Sequence, residues 1–143
     1  MKLKRTIYFI AYVLWMVTIL AFSLQTGEDS SMTSGWVVNL IADTLGGLNL
    51  AVSIEVLSLI IRKLAHFTEY MVLGFLSHRN VKLSNQKAYY VSILLPFLDE
   101  LLQTTIDGRA GRMLDVGIDL VGYGFGVLIG FLRDFATFRS MPR

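Results

Sequence analysis

The sequence has no cysteine, only two prolines and few charged residues, which make up 17% of its 143 positions. Without cysteine the chain cannot be a secreted module held together by disulfides, and its redox compartment stays undetermined. The low share of charge and the apolar content of 54% also exclude a disordered tail and an ordinary soluble enzyme. With a mean hydropathy of +0.57, residues 1–143 are typical of one membrane domain.

The first apolar run, residues 7–24, contains no charged residue in 18 positions. As a helix it would measure about 27 Å, just enough to cross the apolar core of a bilayer. Because Lys2, Lys4 and Arg5 precede it, a cleaved signal peptide is the alternative. The run exceeds the about 7 to 15 apolar residues of such a peptide, and no clean cleavage site follows. Residues 7–24 are therefore predicted to be the first span.

Three further apolar runs are predicted to cross the membrane although each carries charge: residues 54–76, 88–106 and 114–132. The predicted fold is an all-α integral membrane protein, a bundle of four transmembrane helices. Residues 25–53, between the first two spans, are too polar to cross. Trp36 and the apolar residues after it recur at nearly helical spacing, which favours an amphipathic helix on the membrane surface over a short re-entrant segment.

Basic residues cluster before the first span, between the second and third spans, and after the fourth. By the positive-inside rule these regions, and hence both termini, are predicted to be cytoplasmic, which four crossings satisfy. Counted by predicted side, the cytoplasmic regions carry +8 and the remainder of the chain −6, so the net charge of +2 conceals an acidic outer half. No contiguous basic face is left for nucleic acid, which is not expected as a partner.

Ionisable residues inside the predicted spans are the second unusual feature. Placing one of them at the middle of a lipid-facing helix costs roughly 2.5 to 3.5 kcal/mol, so eight are not expected to face lipid. Helical spacing puts those of the second span on one face, and the predicted topology puts all of them toward the outer side. We therefore expect them to face inward and converge. They are Arg62, Lys63, His66, Glu69, Asp99, Glu100, Asp115 and Asp119, accompanied by Tyr70 and Gln103.

The charges of this cluster do not balance. Together with the loop at 107–112, it has four basic and six acidic side chains, or −2 when His66 is neutral. A carboxyl group that stays protonated, a protonated His66 or a divalent cation held by carboxylates would each reduce the surplus. A cation is an open alternative but not a prediction, because no tight ligand spacing such as paired histidines supports it.

The loop at 107–112 contains two glycines and two arginines just before the fourth span. Arg109 and Arg112 supply forked donors near a helix N-terminus, a combination suited to a phosphate or a carboxylate. The alternative is a flexible turn whose arginines pair with Asp99, Glu100 or Asp115.

A stripe of small residues runs along the fourth span. Gly122, Gly126 and Gly130 recur at every fourth position, a spacing that lets two helix backbones approach closely. We predict that this stripe packs against the second span at Gly74.

Five blocks of the sequence form a recognisable pattern: Phe22-Ser23 with Gln25-Thr26-Gly27, Lys63-x-x-His66-Phe67-x-Glu69-Tyr70-x-x-Leu73-Gly74, Asp99-Glu100-x-x-Gln103, Gly108-Arg109-x-Gly111, and Asp115-Val116-x-x-Asp119-x-x-Gly122. Together they resemble the VanZ-like family, with an order and spacing that agree over nearly the whole chain. The resemblance implies a small bacterial multi-pass membrane protein, whose namesake is associated with low-level resistance to the glycopeptide antibiotic teicoplanin. It also implies that the matching polar positions carry the shared function.

Two positions depart from the family pattern. Leu102 stands where many members have a histidine before the glutamine, and Asp107 stands where a proline is frequent. The first departure argues against a metal site with two histidines in this chain.

The favoured function is an outward-facing polar site that engages the head group of a membrane lipid or of a lipid-linked molecule of the cell envelope, with acid-base chemistry in addition. Neighbouring carboxyl groups in a medium of low dielectric titrate at different pH values and so supply one acid and one base. The predicted catalytic residues are His66, Glu69, Asp99 and Glu100. The predicted substrate-binding residues are Lys63, Tyr70, Gln103, Arg109, Arg112, Asp115 and Asp119.

Two alternatives stay open. The same site could bind its ligand without any reaction, or the buried charges could serve only to hold the helices together. A path for ions across the membrane is not expected, because the second and fourth spans are apolar beyond Gly74 and Gly122. Nothing in the sequence identifies the ligand or the oligomeric state.

Overall fold

The computed structural model describes residues 2–47, 53–83, 86–109 and 111–139, and these residues form five helices and no strand. Three predictions include positions outside these ranges: residues 48–52 of the surface segment, Ala110 of the loop, and Arg143 of the last basic cluster. The helices are α1 (Lys2–Ser23), α2 (Gly27–Gly47), α3 (Ile54–Lys82), α4 (Lys87–Gln103) and α5 (Met113–Arg139).

Two of the described helices, α1 and α5, are long and apolar enough to cross a membrane. α3 has 29 residues but carries charged side chains within its first half. α4 has only 17 residues, or about 25 Å against the roughly 30 Å of a bilayer core. The predicted fold is therefore confirmed as all-helical with two helices of spanning character, and not as a bundle of four spans.

The most extensive helix contact joins α3 to the glycine stripe of α5. A Cβ at Gly126 would overlap the backbone carbonyl of Met71, and a Cβ at Gly74 would overlap that of Tyr123. Because no side chain separates the two backbones, the helices lie in direct contact. The predicted packing of this stripe against Gly74 is confirmed.

The four helices that enclose the core run in two directions, α3 and α5 in one and α1 and α4 in the other. The end of α1, the start of α3, the end of α4 and the start of α5 therefore meet at one end of the bundle, which we call the loop end. The start of α2 lies there too, since Gly27 N–H donates to the carbonyl of Asp107 at 3.1 Å. The contacts that establish the directions are Phe67 with Gly122, Arg79 with Asp134, Tyr8 with Asn80, Trp15 with Glu69, Tyr70 with Asp99, and His78 with Tyr89.

The core lies where α1, α3, α4 and α5 meet, and it contains three buried tyrosines. Each hydroxyl has a partner, which avoids the cost of about 1 to 3 kcal/mol for an unpaired buried group. The pairs are Tyr12 with Ser92 at 3.0 Å, Tyr70 with Asp99 at 2.9 Å, and Tyr123 with Ser77 at 2.9 Å.

At the end of the bundle opposite the loop end, Asp134 of α5 is held by three basic side chains of α3. His78 Nε2 lies 3.1 Å, Arg79 Nη1 2.6 Å and Lys82 Nζ 2.8 Å from its carboxylate. This cluster ties α3 to α5 where the glycine stripe ends.

Candidate functional site

Asp99 is the centre of a satisfied hydrogen-bond network at the loop end. Its carboxylate accepts from the Tyr70 hydroxyl at 2.9 Å and from the Gln103 amide at 3.0 Å. Gln103 follows Asp99 by about one helical turn, so both side chains lie on the same face of α4. The hydroxyl of Ser23 donates to the backbone carbonyl of Asp99 at 3.3 Å. Asp99 therefore joins α1, α3 and α4.

Asp119 is as deeply buried as Asp99 but has no such network. Its side chain is 0% exposed, and neither of its oxygens has a hydrogen-bond partner among the described residues. The nearest polar nitrogen is Nδ1 of His66, 3.4 Å from Oδ1, and that nitrogen also lacks a hydrogen bond. A buried carboxylate without partners is expensive. Asp99 is therefore held by hydrogen bonds from other helices, whereas the polar contact of Asp119 among the described residues is with His66 of α3, an ion pair when His66 is protonated.

A cavity of about 230 Å³, the main cavity, opens between α1, α2, α3 and α4 beside these groups. Its lining is amphipathic. The carboxylate of Glu69 has no hydrogen-bond or ion-pair partner in the part of the chain that the structure describes, and it faces this cavity beside His66. The apolar lining includes Ile19, Phe22, Val37 and Ile61, and the polar lining includes Arg62, His66, Glu69, Asp99, Gln103 and Arg109.

A second cavity of about 150 Å³ shares part of this lining and is mainly basic. It adds Lys63, Arg112 and Asp115 to the shared residues. Lys63 Nζ lies 2.7 Å from Oδ1 of Asp115. Both side chains are partly exposed, and such pairs stabilise a fold by only about 0.2 to 1 kcal/mol, so this pair belongs to the rim of the site.

The two arginines of the loop form no ion pair with Asp99, Glu100 or Asp115 within the described residues, contrary to one of the two interpretations of this loop. Arg109 Nη2 donates to the carbonyl of Phe22 at 3.1 Å. Burial, and then the neighbouring positive charge of Arg62, lower the pKa of Arg109. A guanidinium in this setting is stabilised by an anion.

Glu100 is buried but lines neither cavity. Oε1 of its carboxylate accepts from the backbone N–H of Arg112, just before α5 begins, while Oε2 has no partner among the described residues. Its position suits an anchor for the loop at 107–112.

These residues fall within one family pattern. The model of the VanZ/LLP1 family matches residues 8–134, which include every residue of the site. The chain belongs to the VanZ/LLP1 family. The resemblance is thus confirmed, and with two helices of spanning character the VanZ/LLP1 chain is a membrane protein. No curated protein and no solved structure gives a significant match to it.

The predicted site residues of this VanZ/LLP1 chain divide into three groups by position. Five line the main cavity, three line only the second cavity, and three lie behind the cavity walls. In that order they are His66, Glu69, Asp99, Gln103 and Arg109; Lys63, Arg112 and Asp115; and Tyr70, Glu100 and Asp119.

Arg62 and several polar residues of α2 also line the main cavity of the VanZ/LLP1 chain, although they were not among the predicted site residues. Arg62 lines both cavities, and its only side-chain hydrogen bond among the described residues is a long one of 3.5 Å to the hydroxyl of Ser31. The position of Arg62 next to Lys63 in the polar cluster is the sequence feature that could have predicted its place in the site. The others are Ser30, Thr33 and Ser34 of α2, whose i, i+3, i+4 spacing marks the polar face of that helix.

Proposed function

We propose that this VanZ/LLP1 chain crosses a bacterial cell membrane four times, with both termini in the cytoplasm and the loop end outside. The alternating directions of α1, α3, α4 and α5 support this topology. So does the outer surface of α4, where Tyr90, Leu94, Leu98 and Leu101 are exposed along one stripe although the helix is short. Residues such as Lys82, which lie at the end opposite the loop end, would face the cytoplasm, in agreement with the positive-inside rule. In this arrangement α2 lies at the outer membrane surface.

Reporter fusions test the topology directly. Fusions after Lys87 and after Arg143 should both give cytoplasmic signals, and a fusion after Asp107 should give an external one. An external signal from either of the first two fusions would contradict the four-span arrangement, whatever the Asp107 fusion reports.

The main cavity, we propose, binds the polar head group of a membrane lipid or of a lipid-linked molecule of the cell envelope. The observation that carries this proposal is the pairing of an apolar wall with Arg62 and Arg109, which have no carboxylate partner in the described residues. Forked guanidinium groups suit phosphate and carboxylate. The volume of about 230 Å³ lies below the roughly 300 to 1,000 Å³ of sites for drug-sized ligands, so it suits a head group whose apolar chains remain in the membrane.

Acid-base chemistry at the bound head group is the second part of the proposal. Glu69 and Asp99 face the same cavity in different environments, since Asp99 accepts two side-chain hydrogen bonds and Glu69 none. Carboxyl groups in unlike environments divide into one acid and one base. His66, beside Glu69, would carry the proton, and Asp99 would be held in position by Tyr70 and Gln103. The position of Glu100 supports a structural role more than the catalytic one predicted from sequence.

A link to glycopeptide resistance follows from family membership and belongs to the same proposal. A protein that binds or alters a head group at the outer surface changes what an antibiotic such as teicoplanin meets there. Binding without any reaction is the alternative, and the experiment below separates the two.

The test combines lipid analysis with single substitutions. Mass spectrometry of the detergent-purified protein should find a bound anionic lipid or lipid-linked molecule. Glu69→Gln keeps the shape of the side chain, so the variant should retain this molecule. Loss of an acid or base slows a reaction by about 10²- to 10⁴-fold, so the phenotype in a teicoplanin or envelope-stress assay should fall to that of cells without the protein. His66→Ala should behave in the same way.

Glu28→Gln is the matched control, because Glu28 is exposed on α2 and lines neither cavity. Parallel loss of bound lipid and phenotype in Glu69→Gln and His66→Ala would support a binder without chemistry. If both variants kept the wild-type phenotype and the bound lipid, the buried charges would be structural and the proposed function would be wrong.

A further inference from the structure

Three side chains at the main cavity, two in its lining and one behind its wall, have the donor set and spacing of a metal site. The ligand atoms of His66, Asp99 and Asp119 lie within 4.8 Å of one another. His66 comes from α3, Asp99 from α4 and Asp119 from α5, so the fold brings together groups that lie 20 or more positions apart in the chain. This separation explains why sequence spacing gave no metal motif.

The distance between His66 and Asp119 is informative by itself. At 3.4 Å, Nδ1 and Oδ1 are farther apart than the about 2.7 to 3.2 Å of a normal hydrogen bond. Two ligands that bind one tetrahedral ion with bonds of about 2.1 Å are separated by about 3.4 Å. The observed spacing therefore suits two ligands of a shared ion better than a hydrogen-bonded pair.

Asp119 supplies the second, independent observation. It is fully buried, and both of its oxygens lack hydrogen-bond partners among the described residues. The two donors nearest the cluster, the Tyr70 hydroxyl and the Gln103 amide, already donate to Asp99. Asp119 and Nδ1 of His66 thus face each other at 3.4 Å without forming a hydrogen bond of normal geometry.

The charge of the cluster indicates that its missing partner is a divalent cation. With His66 neutral, Asp99 and Asp119 together carry −2, which one divalent cation neutralises. Arg62 and Arg109 do not do so, since neither forms an ion pair with these carboxylates in the described ranges. Burial makes the uncompensated charge costly, and cation binding removes that cost.

We propose that His66, Asp99 and Asp119 bind a divalent transition-metal ion whose open positions face the main cavity. One imidazole and two carboxylates are ligands that Zn²⁺ and Mn²⁺ accept, and three protein ligands leave room for a water or a phosphate oxygen. Tyr70 and Gln103 orient Asp99 from outside the ligand shell. Glu69, which lines the same cavity and has no hydrogen-bond partner for its carboxylate among the described residues, is left as the acid-base group.

The inference deepens the proposed function by placing a cation where an anionic head group would be bound. Metal binding itself does not depend on that function, since it follows from the three ligands alone. A His66 that holds a metal acts as a ligand rather than as a proton carrier, so the acid-base role then falls to Glu69.

The purified full-length protein, stripped of metal with a chelator, provides the test. Titration with Zn²⁺ or Mn²⁺, followed by elemental analysis and by Mn²⁺ paramagnetic resonance, should give one ion per chain. Asp119→Asn and His66→Gln should each weaken binding at least tenfold. Asp107→Asn is the matched control, because Asp107 is an exposed carboxylate at the same end that lines neither cavity, and it should bind like the wild type.

Thermal unfolding in the presence of a chelator distinguishes loss of a metal ligand from loss of the fold. Asp119→Asn removes an unpaired buried charge, so it should unfold at or above the wild-type temperature, and added metal should raise the unfolding temperature of the wild type only. Stoichiometric binding that Asp119→Asn leaves unchanged, or no binding by folded wild type, would overturn the metal site. Bound lipid without metal would support the proposed function and overturn the metal site. Bound metal without any head group would support the metal site and contradict the proposed function.

Discussion

Replacing Asp99 by alanine should lower the free energy of unfolding by about 2 to 6 kcal/mol more than replacing Asp119 by alanine. The two side chains are equally buried, at 1% and 0% exposure, so the cavity created by each truncation is similar. Asp99→Ala leaves the Tyr70 hydroxyl and the Gln103 amide without their acceptor, and each unpaired buried group costs about 1 to 3 kcal/mol. Asp119→Ala strands no hydrogen-bond donor that the described residues contain.

The measurement is thermal or denaturant unfolding of the purified variants in detergent with a chelator present, so that no bound metal contributes. Tyr70→Phe in the Asp99→Ala background removes one of the stranded donors and should recover part of the lost stability. Equal destabilisation by the two alanine variants would mean that Asp119 is bonded as firmly as Asp99, and it would remove the main support for a ligand role of Asp119.

Removing the guanidinium groups of Arg62 and Arg109 together should weaken binding of an anionic head group by about 10²- to 10⁴-fold. Hydrogen bonds to charged groups contribute about 1.5 to 3 kcal/mol each, and about 1.4 kcal/mol corresponds to a factor of ten. Both arginines line both cavities, and neither forms an ion pair with a carboxylate among the described residues. A short-chain phosphatidic acid, titrated into the purified protein by calorimetry, is a suitable probe.

Two comparisons make this second prediction specific. Arg62→Lys and Arg109→Lys keep the charge but lose the forked geometry, so their affinities should fall between those of the wild type and the double alanine variant. Arg5→Ala changes an exposed arginine at the start of α1, far from the loop end, and should bind like the wild type. Unchanged affinity in the Arg62→Ala/Arg109→Ala protein would show that the anion is held elsewhere.

Asp99 and Asp119 also mark how far sequence reasoning reaches. Both residues were predicted to face inward, because an ionisable group in an apolar helix must avoid lipid. Gln103 was predicted to accompany the ionisable residues, and its amide donates to Asp99 from one turn further along α4. Nothing in the local sequence tells which of the two carboxylates is satisfied, since the partners of Asp99 include Tyr70 on another helix.

The partner of Arg109 is a second feature that the sequence does not determine. Two interpretations of its loop had equal standing, because an arginine beside several aspartates pairs with them or binds an external anion with similar ease. In the structure the guanidinium of Arg109 forms no ion pair with these aspartates among the described residues and donates instead to the carbonyl of Phe22 at the end of α1. That contact depends on the direction in which α1 packs, which is a tertiary property.

The number of membrane crossings is a case in which sequence reasoning went further than the fold supports. Residues 54–76 were predicted as a span because the run is largely apolar although it carries charge. In the structure only α1 and α5 among the described helices are apolar enough to qualify, and α4 is short. Hydropathy averages all faces of a helix, whereas lipid contacts only one. Helices that bury a polar face against each other therefore have a low mean hydropathy even where their outer faces are apolar.

The sequence by itself determined the helical fold, the glycine contact between α3 and α5, and the set of polar residues at the loop end, because these depend on spacing within each helix and on composition. The order of its motifs along the chain indicated the family. Only the tertiary structure decided how the set is divided: Asp99 satisfied and Asp119 not, Glu100 beneath the loop rather than at a cavity, and Arg62 with the polar face of α2 in the lining. Hydrogen bonds, ion pairs and cavities join residues from different helices. Their distances are set by how the helices pack, and no local pattern in the chain records them.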